Sequence, residues 1–86
     1  MRVEKKTWPD LFQDVFDGKK KFDLRLADFE INRGDILVLR EWDPKTKEYT
    51  GRQIDKQVTY VLKTKKWGFQ SVEDLDNFGE QVIQFE

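Results

Sequence analysis

The segment Gly18-Lys19-Lys20-Lys21-Phe22-Asp23-Leu24-Arg25 concentrates the groups best suited to binding chemistry. Gly18 stands at the end of an expected helix and the lysines at the mouth of an expected strand. On that strand Lys21, Asp23 and Arg25 alternate with Phe22 and Leu24, so the three charged residues share one face. Two cations around one carboxylate fix each other's geometry, and a guanidinium held that way offers its planar fork to a phosphate or a base edge. The competing reading is a solvated ion pair, worth about 0 to 1 kcal/mol and without a role in binding.

Residue types that are missing narrow the chemistry further. The 86-residue chain contains no cysteine and no histidine. That removes disulfides, Cys/His zinc sites, Ser-His and Cys-His catalytic pairs and the usual proton shuttle near neutral pH. A catalyst would have to work with Lys, Asp, Glu, Tyr, Ser or Thr, and no cofactor or metal is expected. The longest apolar run, Ile36 to Leu39, falls far short of the roughly 20 residues that span a bilayer, and Met1 to Lys6 lacks the apolar core of a signal peptide. A cytoplasmic protein with no membrane partner is the expectation.

The net charge of -1 hides a segregated pattern. Residues 1–25 carry seven basic and five acidic groups, 26–44 two and five, 45–68 seven and two, and 69–86 none and five. Basic stretches interleaved with aromatics are the electrostatic footprint of a nucleic-acid surface, although lysines on loops and edge strands also serve solubility. Trp42, Tyr49 and Trp67 lie near Arg40, Arg52, Lys65 and Lys66 in sequence, the company expected of base-stacking rings. Tyr49 and Trp67 are the candidates for exposed contact, and Trp42 reads as partly buried. Trp8, Phe12, Phe16, Phe22 and Phe85 sit at core-periodic positions and read as packing.

The elements that must position these groups follow from periodicity. Trp8, Leu11, Phe12, Val15 and Phe16 recur at helical spacing and predict a helix over residues 8–17, capped by Thr7, with Pro9 in its first turn and Gly18 as its stop. Phe22, Leu24 and Leu26 alternate as a half-buried strand. Asn32-Arg33-Gly34-Asp35 reads as a turn, Ile36 to Trp42 as a central strand, and Asp43 to Glu48 as a solvated loop. A long strand is expected from Tyr49 to Lys63, interrupted at Gly51, with Ile54, Val58, Tyr60 and Leu62 on one face. Ser71-Val72-Glu73-Asp74 opens like a short capped helix ending near Asn77, and Gln81 to Phe85 is a closing strand. The expected fold is a single α+β domain over 1–86, mainly β. It is a small curled barrel of mostly antiparallel strands with a helix at one end, because closure removes exposed edges.

Gly18, Lys20 and Arg25 match the pattern Gly-x-Lys-x-x-Glu-x-Arg, with Asp23 where that pattern has Glu. By this motif the chain resembles the ASCH domains of the PUA-like superfamily. Gly34-Asp35-Ile36-Leu37-Val38-Leu39-Arg40-Glu41-Trp42-Asp43-Pro44, followed by Tyr49-Thr50-Gly51-Arg52, resembles one branch of it, an uncharacterised bacterial and phage family. The resemblance implies a PUA-like pseudo-β-barrel whose motif residues line a cleft beside the first helix, and an RNA or nucleotide-like ligand. Lys20, Lys21 and Arg25 are then expected to contact phosphate, Asp23 to orient Arg25 or accept a hydrogen bond from a base, and Arg40 and Arg52 to extend a basic wall. Some ASCH-like proteins are amidohydrolases acting on acylated cytidine through a lysine, a threonine and a distant glutamate. Here Asp23 stands in the threonine's place, and a carboxylate does not replace an activated hydroxyl. A non-enzymatic, monomeric binding module is the expectation. The rival is an interaction or regulatory domain that engages a partner through its acidic segment Glu73 to Glu86.

Overall fold

The computed structural model describes residues 1–64 and 79–86, which form β1 (Arg2–Thr7), α1 (Pro9–Phe16), β2 (Phe22–Leu26), β3 (Ile36–Asp43), β4 (Glu48–Lys63) and β5 (Glu80–Phe85). The expected helix at Ser71 to Asn77 lies outside the described residues, as does Trp67. The strands make one open, mixed sheet in the order β1-β3-β4-β5-β2. β1 runs parallel to β3, and the other three pairings are antiparallel. Among the described residues the sheet is not closed into a barrel by backbone pairing: β1 and β2 are its two edges. No helix among the described residues is long and apolar enough to cross a membrane.

The N-cap of α1 is Trp8, in extended conformation and without a side-chain cap, rather than Thr7. Thr7 is instead the last residue of β1, buried at the sheet edge. Phe12 and Val15 are fully buried and fasten α1 to the sheet. The helix stops where expected. Gly18 takes φ +79°, its N–H donates to the Val15 carbonyl (3.1 Å), and the Lys19 N–H reaches back to the Asp14 carbonyl (2.9 Å). This paired closure needs a left-handed residue at Gly18, which only glycine adopts at little cost.

β1 was not expected. Its residues, Arg2-Val3-Glu4-Lys5-Lys6-Thr7, hold a single large aliphatic, and they are strand because β3 offers a ladder from Arg2↔Ile36 to Thr7↔Glu41. β3 itself matches its sequence pattern. Leu37, Val38 and Leu39 are all buried, as a central strand covered on both faces requires. With Phe12, Val15, Ile31, Val58, Ile83 and Phe85, Leu37 and Leu39 form the core.

Two phase relations differ from the sequence pattern. β2 was expected to bury Phe22 and Leu24, yet they are 48% and 52% exposed while Asp23 is 4% exposed. The cause is the pairing with β5, in which Asp23 lies opposite Ile83, a core residue. Antiparallel partners project to the same side, so the register draws Asp23 inward and turns its apolar neighbours out. In β4, Val58 is buried whereas Tyr60 is 54% exposed, so the two do not share a face as expected. A register shift between Val58 and Tyr60 explains this, since a bulge inserts one residue and inverts the alternation beyond it. Past the bulge, Val61 takes over the packing against the core.

Candidate functional site

Gly18 turns the chain out of α1 and delivers Lys20 beside β2. Lys20 Nζ lies 3.5 Å from Asp23 Oδ1, and Arg25 Nε donates to Asp23 Oδ2. Asp23 is thus a buried carboxylate clamped between two cations, the arrangement that makes burying its charge tolerable. Arg25 does more than neutralise it. Its Nη2 donates to the Lys6 carbonyl at 2.7 Å and to Thr7 Oγ1 at 3.3 Å, both on β1. One guanidinium therefore spans the two open edges of the sheet where no backbone ladder joins them.

The structure changes the cast around Asp23. Lys21, expected on the same face as Asp23 and Arg25, precedes β2 and is exposed. It lines a depression of about 320 Å³ with Gly18, Lys20 and Lys56, and Lys20 supplies the second cation for Asp23. Next to Arg25 a cleft of about 220 Å³ opens between the edges, walled by Lys6, Thr7, Asp23 and Arg25 on its polar side and by Trp8, Leu11 and Leu24 on its apolar side. Trp8, expected in the core, is 59% exposed, and Leu11 is 47% exposed. Trp8 was missed because helical periodicity places it on the buried stripe. Pro9 directly after it marks it as the residue before the first turn, which need not follow that stripe.

Arg40, Tyr49 and Arg52 do not join this cleft. The Arg40 guanidinium lies 3.9 Å from the Tyr49 ring centroid and 3.4 Å from Glu4 Oε1. Trp42, half-buried, has Lys6 Nζ 4.6 Å from its ring. Arg52 grips Glu41 through two bonds, Nε to Oε1 at 3.0 Å and Nη2 to Oε2 at 2.8 Å, while Thr50 Oγ1 donates to Oε1 at 2.6 Å. The same guanidinium lies over the rings of Phe12 and Phe16, at 4.9 and 5.6 Å, and donates to Gln13 Oε1 on α1. Hydrogen bonding from Arg52 holds the Glu41 carboxyl below its ordinary value, against the opposing effect of burial, and Glu41 in turn raises Arg52. Arg52, expected in a basic wall, is instead the partner of Glu41, a pairing the sequence reading missed although a signal for it exists. A glutamate inside the run Ile36 to Trp42 must find a cation, and a hairpin turning at Asp43 to Glu48 brings Arg52 alongside it.

Gln81 was also missed as a polar group of the interior. It is fully buried opposite Arg25, its Nε2 donates to the Phe29 carbonyl at 3.4 Å, and its Oε1 has no partner among the described residues. No group of three or more metal-ligating side chains occurs among the described residues.

Comparison with known proteins adds family membership. A 12.9 kDa uncharacterised protein of Escherichia phage P2, in the GpA 3' region, is 36% identical over 56 residues, which cover 65% of this chain and 50% of the phage protein. The chain therefore matches about half the length of that relative. A protein-family profile described as "Domain of unknown function (DUF3850)" matches residues 4–72. The match takes in the motif segment, β3 and β4, and with most of its length inside it the chain belongs to the DUF3850 family.

Proposed function

We propose that the protein is a non-catalytic module that binds RNA or a nucleotide-like ligand at the cleft between β1 and β2, and that its fold is an ASCH-type member of the PUA-like group. The observation that carries this reading is the convergence of Lys20 and Arg25 on Asp23, where Asp23 and Arg25 wall one side of a cleft whose other side presents exposed Trp8 and Leu11. A guanidinium oriented by a buried carboxylate is pre-aimed at phosphate, and an exposed indole beside it suits a base. The ASCH assignment is supported by Gly18, Lys20 and Arg25 in the family spacing and by a curled sheet whose edges meet at that motif. Arg40 and Arg52 are spent on Tyr49, Glu4 and Glu41, so the ligand surface is smaller than a continuous basic wall.

Hydrolysis of an acylated nucleoside is the weaker reading on chemical grounds. The one hydroxyl in the cleft wall among the described residues, that of Thr7, is bonded to the Arg25 guanidinium, which does not take up a proton. Titration of the protein with a single-stranded RNA at low and at physiological salt tests the proposal. Binding that weakens steeply with salt is the expected result, because bound phosphates release counterions. No binding at micromolar protein in low salt would refute it.

A further inference from the structure

Phe22 and Leu24 are apolar side chains on the outer face of an edge strand, 48% and 52% exposed. Such a pair invites association unless it serves a ligand. Each end of β2 leads into a concave, cationic site. Leu24 forms part of the cleft that holds Trp8 and Arg25, and the chain just before Phe22 forms the depression with Lys20, Lys21 and Lys56. Phe22 lies between the two, with Lys20 Nζ 5.4 Å from its ring centroid.

Resting on the nucleic-acid reading above, we infer that the ligand is single-stranded and runs along the outer face of β2, with one base stacked on Phe22 and phosphates held at both ends. The charge pattern selects this occupant. At one end Asp23 is matched by two cations, Lys20 and Arg25, and at the other Lys21 and Lys56 line the depression with Glu86, so each end keeps a cation for a polyanion. The length agrees. β2 rises about 3.3 Å per residue, so Phe22 to Leu26 span roughly 13 Å, a track that together with the depression before Phe22 exceeds one mononucleotide and suits a short oligonucleotide. A duplex keeps its bases stacked on one another, so it has no free face to offer Phe22, whereas every unpaired base does.

The test compares a short single-stranded RNA, the same sequence as duplex, and a mononucleotide by fluorescence anisotropy, using the parent protein, Phe22→Ala and Phe22→Trp. Phe22 is exposed, so Phe22→Ala should stay folded, and its circular dichroism should match the parent's. The expected result is preference for the single strand, a loss of about five- to 150-fold in Phe22→Ala, and recovery in Phe22→Trp. Unchanged affinity in Phe22→Ala, equal affinity for the duplex, or an equal loss in Tyr60→Ala two strands away would overturn the track while leaving the Arg25 cleft as the binding site. A parent dimer that Phe22→Ala dissociates in sedimentation would overturn it too, by making this face a contact between copies. Absence of binding to all three probes would overturn both readings.

Discussion

Glu41 and Asp23 are both buried carboxylates held by an arginine, yet their partners differ in what they leave free. Arg52 turns two of its nitrogens on Glu41, adds Gln13, and lies against the rings of Phe12 and Phe16, so the group ties β3, β4 and α1 into one layer. Asp23 is shared between Lys20 and Arg25, and Arg25 directs its remaining reach across a gap to β1, beside an open cleft. The first arrangement consumes its cation. The second orients its cation at a place a ligand can enter. Similar residue types in one small sheet thus divide into a closed clamp and a seam beside an open cleft, the place of the proposed binding.

The largest effect that would sharpen this contrast is on ligand affinity. Arg25→Ala should weaken binding of single-stranded RNA by about ten- to 150-fold at low salt, the range for losing hydrogen bonds to a charged group. Arg25→Lys should not restore it, because an ammonium cannot contact Asp23, Lys6 and a phosphate from one rigid plane. Trp8→Ala should cost about five- to 150-fold by loss of one stacking ring, with its melting temperature within a few degrees of the parent's. Isothermal titration of both variants checks the pair of values.

Glu41→Gln should behave in the opposite way, lowering the melting temperature and leaving affinity at the parent's level. The pH dependence follows from the same pair. Arg52 depresses the Glu41 carboxyl below its ordinary value of 4.5, so its contribution is complete above that pH and is lost as pH falls through the lower folded value. Thermal melts between neutrality and pH 3 should show an acid limb in the parent that is shallower in Glu41→Gln; identical limbs would assign acid sensitivity elsewhere. The smallest effect belongs to Lys21→Ala, which should reduce the slope of log affinity against log salt by about one phosphate contact and leave stability alone.

How far the sequence foretold this molecule depends on what decides each element. α1, its stop at Gly18, and β3 are set by local periodicity and a glycine, and they stand where the pattern puts them. β1 escapes because its own residues say almost nothing: a parallel neighbour makes it a strand. The phase of β2 escapes because alternation predicts a strand without saying which face goes in, and β5 decided that. The inversion past Val58 escapes for a related reason, since a bulge leaves no mark in hydropathy. For the site, the pairing of Asp23 with Arg25 was legible from spacing. That Lys20 rather than Lys21 completes it, and that Trp8 faces the cleft, depended on where β2 and α1 begin. The separation of Arg40 and Arg52 from the cleft depended on Glu4 and Glu41, carboxylates that sequence reading had not matched to them.

The most direct test of the division between clamp and seam is to measure, side by side, the melting temperature and the single-stranded RNA affinity of Arg25→Ala and Glu41→Gln. The account predicts a crossed result: Arg25→Ala loses affinity by at least about tenfold with the smaller change in melting temperature, and Glu41→Gln loses thermal stability with affinity intact. If Arg25→Ala instead melts well below Glu41→Gln while binding RNA as the parent does, the Lys20–Asp23–Arg25 seam is a structural fastening and the binding role assigned to it is wrong.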